Sequence, residues 1–85
     1  MKLKSNFLTH DVDDEQIMID INGKFKGIIT NNETAAFIVN CLKEDVTKEE
    51  IVEKLFNEYD APKMQIEKDV EAILNKLISV NALEK

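Results

Sequence analysis

The chain contains 85 residues, of which 44% are hydrophobic, and its formal net charge at pH 7 is −6. This length predicts one domain over residues 1–85, with a modest core and little interior for an enclosed active site. All 11 basic residues are lysines, and 17 acidic residues outnumber them, so binding to a nucleic-acid backbone is not expected. The sequence has no signal-like start and no apolar run near the roughly 20 residues of a membrane span, which predicts a cytoplasmic protein without membrane contact.

Two strands are predicted near the start of the chain. Residues 6–11 indicate a short first strand, and the acidic segment 12–15 indicates a turn. Residues 15–21 then alternate in polarity, which predicts a half-buried strand. One face of this second strand carries Ile17, Ile19 and Ile21, and the other carries Gln16, Met18 and Asp20.

The turn after the second strand allows two registers. A two-residue loop at 22–23 is the first choice for an Asn-Gly pair, but it would place Lys26 opposite Ile19. A three-residue loop at 21–23, with a bulge at the glycine, places Phe25 opposite Ile19 and keeps apolar with apolar. The bulged hairpin is therefore favoured.

A third strand is predicted over residues 24–29. The favoured register places Gly27 opposite Ile17. Because this strand follows the second in a meander, one of its edges is expected to be open. Lys24 and Lys26 are charges of the kind that protect an open edge from aggregation.

Three helices are predicted in the remainder of the chain. Capping boxes at Thr30–Glu33 and Thr47–Glu50 begin the first two, Pro62 suits the first turn of the third, and Asn81 suits a left-handed helix end. The apolar stripes of the helices are Phe37, Ile38, Cys41 and Leu42; Ile51, Val52, Leu55, Phe56 and Tyr59; and Ile66, Val70, Ile73, Leu74, Leu77 and Ile78. Three antiparallel strands followed by three helices predict an α+β domain of the winged helix-turn-helix type.

Several short motifs resemble those of a known family. Residues 32–36 read Asn-Glu-Thr-Ala-Ala, and residues 43–51 read Lys-Glu-Asp-Val-Thr-Lys-Glu-Glu-Ile. Together with Glu58-Tyr59-Asp60 and Asp69-Val70, they are similar to the PqqD family, the peptide chaperones of pyrroloquinoline-quinone biosynthesis and related systems. The resemblance covers roughly residues 6–83. The departures are Asn31 for a usual Leu, Val39 for a frequent Trp, and Asn81 for a usual Gly.

The resemblance implies a fold known as the RiPP recognition element and a function without catalysis. In that family, the leader segment of a ribosomally made precursor peptide adds as a strand beside the third strand and packs over the third helix. The domain presents this peptide to a modifying enzyme, often a radical S-adenosylmethionine protein. No cofactor or metal is implied for the chain itself, and an open edge also allows pairing with a second copy.

The resemblance and the edge chemistry together indicate a candidate peptide-binding site. An unpaired strand edge offers N–H and C=O groups to any extended peptide, and a glycine in it lets another backbone approach closely. The helix contacts share one flank at three- and four-residue spacing. The candidates are Lys24, Phe25, Lys26, Gly27, Ile28 and Ile29 on the edge, and Lys68, Asp69, Ala72, Ile73 and Lys76 on the helix.

Other interpretations of single features are weaker. His10 beside an acidic turn lacks the spacing of a calcium loop and is interpreted as part of a solvated turn. Cys41 lies on an apolar stripe and is interpreted as an inert buried thiol. A third helix that reads DNA is the main rival, although its charges balance. A structural protein-interaction adaptor is the third hypothesis.

Overall fold

The computed structural model describes residues 1–22 and 27–84. Its strands are β1 (Lys2–Leu3), β2 (Phe7–Val12), β3 (Glu15–Asp20), β4 (Ile28–Asn31) and β5 (Leu83–Glu84), and its helices are α1 (Glu33–Cys41), α2 (Lys48–Glu58) and α3 (Lys63–Ser79). Strands β2, β3 and β4 form an antiparallel sheet in that order, and β1 pairs with β5. The predicted α+β architecture, a three-stranded meander followed by three helices, is confirmed. The short β1–β5 pair was not predicted.

The register between β3 and β4 differs from the prediction. Ile19 lies opposite Ile28, where Phe25 was expected, and Ile17 lies opposite Thr30, where Gly27 was expected. The described part of the third strand is Ile28–Asn31, which extends beyond the predicted end at residue 29, while residues 24–26 of the prediction lie outside the described residues. The observed register brings buried polar side chains of β3 and β4 together, and neither short-loop prediction took these into account.

The face of β3 that packs on the core is also the opposite of the one that its isoleucines suggest. Met18 is fully buried in the core, as is Gln16, while Ile19 on the opposite face is exposed. Asp20 is also buried, and its carboxylate accepts hydrogen bonds from the Asn6 side chain at 2.8 Å and from the Asn22 N–H at 3.0 Å. Polar groups can be buried at low cost when their hydrogen bonds are made, which is why this face can turn inward.

The helix starts follow the capping chemistry. Helix α1 begins after Asn32, whose side chain accepts from the Ala35 N–H at 2.9 Å, so the predicted cap at Thr30 is wrong. The predicted box at the start of α2 is confirmed, because Thr47 and Glu50 exchange side-chain to backbone bonds at 3.1 Å. Asn81 ends α3 with a φ of 59°, in the left-handed region that asparagine tolerates.

One hydrophobic core joins the inner face of the sheet to all three helices. Its buried members include Phe7, Met18, Ile29, Ile38, Val39, Leu42, Ile51, Val52, Leu55, Ile66, Val70, Leu74 and Leu77. Phe56 and Ile78, assigned to apolar stripes from the sequence, are exposed. Within residues 1–22 and 27–84, none of the helices combines the length and the hydrophobicity that a membrane-spanning segment needs. Both β4 and α3 pack against this core, which fixes their positions in the site described next.

Candidate functional site

The outer edge of β4 has no strand beside it in the part of the chain that the structure describes. Residues along an antiparallel strand bond alternately to one neighbour and to the other, so one known bond fixes the direction of the rest. The N–H of Ile21 donates to the carbonyl oxygen of Asn6 at 2.9 Å, on the β2 side. By alternation, Ile19 also bonds towards β2, and Met18 bonds towards β4.

The backbone of β4 divides accordingly into inward and outward groups. Ile29, opposite Met18, and Asn31 bond towards β3, so Ile28 and Thr30 turn their N–H and C=O groups towards the open edge. This edge can therefore hydrogen-bond to an added extended chain through both residues. Thr30 is missing from the site expected from the sequence, because it was assigned to a helix cap. Its place in a β-branched run, Ile-Ile-Thr, is the signal that identifies it as strand.

Only some of the residues expected at the edge lie on the open edge of β4. Lys24, Phe25 and Lys26 lie outside the described residues. Gly27 is exposed in a bend just before β4 and is not part of the strand. Ile28 is 67% exposed at the edge, whereas Ile29 is buried in the core. The accessible part of the described edge is therefore Ile28 and Thr30.

The five expected helix residues share one flank of α3 at the protein surface. Lys68, Ala72 and Lys76 are exposed, whereas Asp69 and Ile73 are half-buried. Helix α2 packs on the opposite flank, where Lys48 pairs with Glu71 at 3.5 Å.

The end of α3 shows which way this flank points. Val80, which lies seven residues after Ile73 and so on the same flank, lines a depression together with Asp20 and Asn22 at the end of β3. The chain leaves β3 at this point to reach β4. The flank with Ile73 is therefore turned towards the sheet, on the side away from α2.

A buried polar network fixes the end of β4 that adjoins α1. The Asn31 side chain donates to Gln16 Oε1 at 3.0 Å. Gln16 Nε2 donates to Asn40 Oδ1 on α1 at 3.0 Å and to Asp11 Oδ1 on β2 at 3.3 Å. Three strands and one helix are joined through a single glutamine. No buried side-chain nitrogen or oxygen among the described residues lacks a hydrogen-bond partner.

Carboxylates gather at the far end of the sheet, around the β2–β3 turn. Asp13, with a φ of 55°, and Asp14 form the turn, and Glu33, Glu58 and Tyr59 line the same depression. The Tyr59 hydroxyl donates to Glu33 at 3.4 Å, and burial, reinforced by that carboxylate, raises the pKa of Tyr59. Within the described residues, no group of histidine, cysteine and acidic side chains is arranged to hold a metal ion. This end of the molecule presents negative charge.

The single cysteine lies on α1 and is half-buried. Burial raises the pKa of the Cys41 thiol, and the positive charge of Lys54 only partly opposes this effect. Since the thiolate is the reactive form, we expect Cys41 to react with iodoacetamide at neutral pH more slowly in the folded protein than in urea. Mass spectrometry of samples quenched over time measures both rates, and equal rates would contradict this assignment.

Solved structures with leader peptides share this fold. The structure of TbiB1 in complex with the TbiA(beta) leader peptide matches with a TM-score of 0.85 and 24% sequence identity, over 99% of this chain and 95% of that one. The structure of lasso peptide synthetase B1 complexed with the leader peptide matches with a TM-score of 0.80 and 21% identity, over 99% and 96%. At these identities the likeness establishes the fold. A comparison with curated protein sequences gives no match.

A family model establishes the relationship at the level of sequence. Residues 15–83 match the model of coenzyme PQQ synthesis protein D (PqqD). The matched stretch begins at the first residue of β3 and runs through all three helices into β5. It includes the open edge of β4 and the exposed flank of α3. The chain therefore belongs to the PqqD family.

Proposed function

We propose that this protein is a peptide chaperone that binds the leader segment of a ribosomally made precursor peptide at the open edge of β4. The observation that carries the proposal is the pair of outward-facing residues, Ile28 and Thr30, on a strand without an outer neighbour among the described residues. The leader complexes of the two structural neighbours support it, because both share this fold.

Strand addition supplies affinity without sequence preference, so selection must come from side chains near the edge. On α3, Ile73 offers an apolar contact, and Lys68 and Lys76 offer positive charge. A leader with apolar residues at alternate positions and acidic residues nearby would match these features. The charges would act mainly on the rate of encounter, since exposed pairs add little to affinity.

The chain itself is proposed to bind and not to catalyse. The site consists of a strand edge and a helix flank, which hold and orient a peptide and leave the chemistry to another protein. We propose that this partner of the chain is a radical S-adenosylmethionine enzyme or another peptide-modifying enzyme. The encounter would take place in the cytoplasm, where a newly made precursor is available.

The DNA-binding alternative gains no support from the charge of α3. Asp69 and Glu71 lie between Lys68 and Lys76 along the helix, and the whole chain is acidic. A protein that neutralises several phosphates needs a concentrated basic surface.

Isothermal titration with synthetic leader segments of the short peptides encoded beside this gene tests the proposal. We expect one leader to bind with a Kd of about 1 μM or below, in the range of ordinary peptide recognition. A scrambled leader of the same composition is the control and should not bind. A folded protein that binds none of these leaders would contradict the function.

A further inference from the structure

The outer face of the β2–β3–β4 sheet is apolar and uncovered in the described part of the chain. Leu8, Ile19 and Ile28 lie directly opposite one another and form a row across all three strands. Their exposed fractions are 53%, 44% and 67%. The half-buried Ile17, flanked on the same face by the polar His10 and Thr30, and the exposed Val12 extend this face towards the β2–β3 turn.

This arrangement is unusual because both faces of the sheet carry large apolar side chains. The inner face supplies core residues and also buries Gln16, Asp20 and Asn31, while Ile17 and Ile19 occupy the outer face. An ordinary half-buried sheet has its apolar face on the core and a polar face outside. A contiguous exposed apolar patch on a small protein is typical of an interaction site.

The charges around this face identify the kind of partner. Glu15 lies on the outer face opposite Val12, and Asp13 and Asp14 follow at the turn. These three carboxylates line one depression together with Val12 and Ile17. None of the three forms an ion pair among the described residues. An apolar surface with this border fits a partner whose own apolar surface is bordered by lysine or arginine.

We propose that the outer face of the sheet is the docking surface for the peptide-modifying enzyme. This inference rests on the proposed function, which requires such an enzyme. Ile28 belongs both to the apolar row and to the open edge, so an enzyme seated on this face lies beside the bound leader. A second copy of this chain fits poorly, because two acidic borders and a net charge of −6 per chain would oppose each other.

The test uses substitutions on β2 and β3, away from the proposed leader edge. In the variant L8T/I19T, threonine keeps a strand-favouring side chain and removes the apolar surface. The control is F56Q on α2, since Phe56 is also 44% exposed but lies outside the sheet. Circular dichroism confirms that each variant is folded. The probe is the purified modifying enzyme encoded beside this gene, immobilised for surface plasmon resonance.

We expect L8T/I19T to bind the enzyme at least about tenfold more weakly, as for the loss of a central apolar contact, while F56Q binds normally. Leader affinity, measured separately by titration, should remain unchanged in both variants. The variant D14N/E15Q should slow association with the enzyme and reduce its salt dependence.

Unchanged enzyme affinity in folded L8T/I19T would overturn the docking surface. A wild-type dimer in sedimentation velocity that L8T/I19T abolishes would overturn it in favour of a second copy. If wild-type protein binds the enzyme through this face but binds no leader, the proposed function fails and the docking surface stands.

Discussion

Replacing Ile28 with proline should abolish most of the leader binding while the protein remains folded. The N–H of Ile28 faces the open edge, so its loss costs the sheet no internal bond. A bound leader would lose an N–H donor and would meet the proline ring. A buried acceptor left without a partner costs about 1–3 kcal/mol, so we expect roughly a 10- to 100-fold weaker Kd by isothermal titration.

Two control variants separate strand addition from other losses. Ile28→Val keeps the N–H and should bind the leader nearly as well as the wild type. Ile29→Pro removes an inward N–H on the same strand and places proline in the core, so it should unfold the protein. A leader N-methylated at alternate positions tests the same bonds from the peptide side. Folded Ile28→Pro with wild-type affinity would rule out strand addition at β4.

The choice of Ile28 as the test position depends on a register that the sequence alone did not reveal. An Asn-Gly pair strongly indicates a tight hairpin, and matching apolar with apolar then selects Phe25 as the partner of Ile19. The structure pairs Ile19 with Ile28 because Gln16 and Asn31 hydrogen-bond inside the core. Hydrophobic alternation cannot detect such a buried polar pair, since both residues count as polar and are expected outside.

Features with local causes were easier to predict. The capping box at Thr47 depends on residues three apart, and the left-handed end at Asn81 depends on one residue. The core face of α3 follows from helical spacing alone, and Ile66, Val70, Leu74 and Leu77 are all buried. Phe56 has the same kind of spacing and yet is exposed, because burial also requires a neighbouring element to cover the side chain.

The candidate site likewise has one part that depends on local sequence and one part that depends on tertiary structure. The flank of α3 could be listed from periodicity, and the structure places it on the side of the helix away from α2. The outward residues of β4 depend on which strand β3 bonds to at each position, which is a tertiary property. The family resemblance indicated a strand and a helix for the predicted site, whereas the proposal of Ile28 and Thr30 needed the hydrogen-bond pattern between β3 and β4.

Gln16 should be the most sensitive polar position of the sheet. Gln16→Met nearly conserves volume but removes the acceptor of the buried Asn31 amide and both donations from Gln16 Nε2. We expect the free energy of unfolding to fall by about 2–3 kcal/mol, the cost of leaving a buried polar group unsatisfied together with lost bonds. Urea denaturation monitored by circular dichroism measures this change.

The same substitution at a surface glutamine supplies the control. Gln65 donates to Asp69 on the exposed face of α3 at 3.0 Å, so Gln65→Met should change stability by less than about 0.5 kcal/mol. An equal loss of unfolding free energy at the two positions would show that the buried network adds no stability beyond that of an exposed hydrogen bond.

A double variant distinguishes stability from register. In Q16M/N31L both partners are apolar, and replacing both partners of a buried hydrogen bond is often nearly neutral. We expect Q16M/N31L to recover much of the stability lost in Q16M but to bind the leader more weakly than wild type. The reason is that apolar pairs do not distinguish one register from another, and a one-residue slip of β4 would turn the N–H of Ile28 away from the edge. Full recovery of both stability and leader affinity would show that packing alone sets the register.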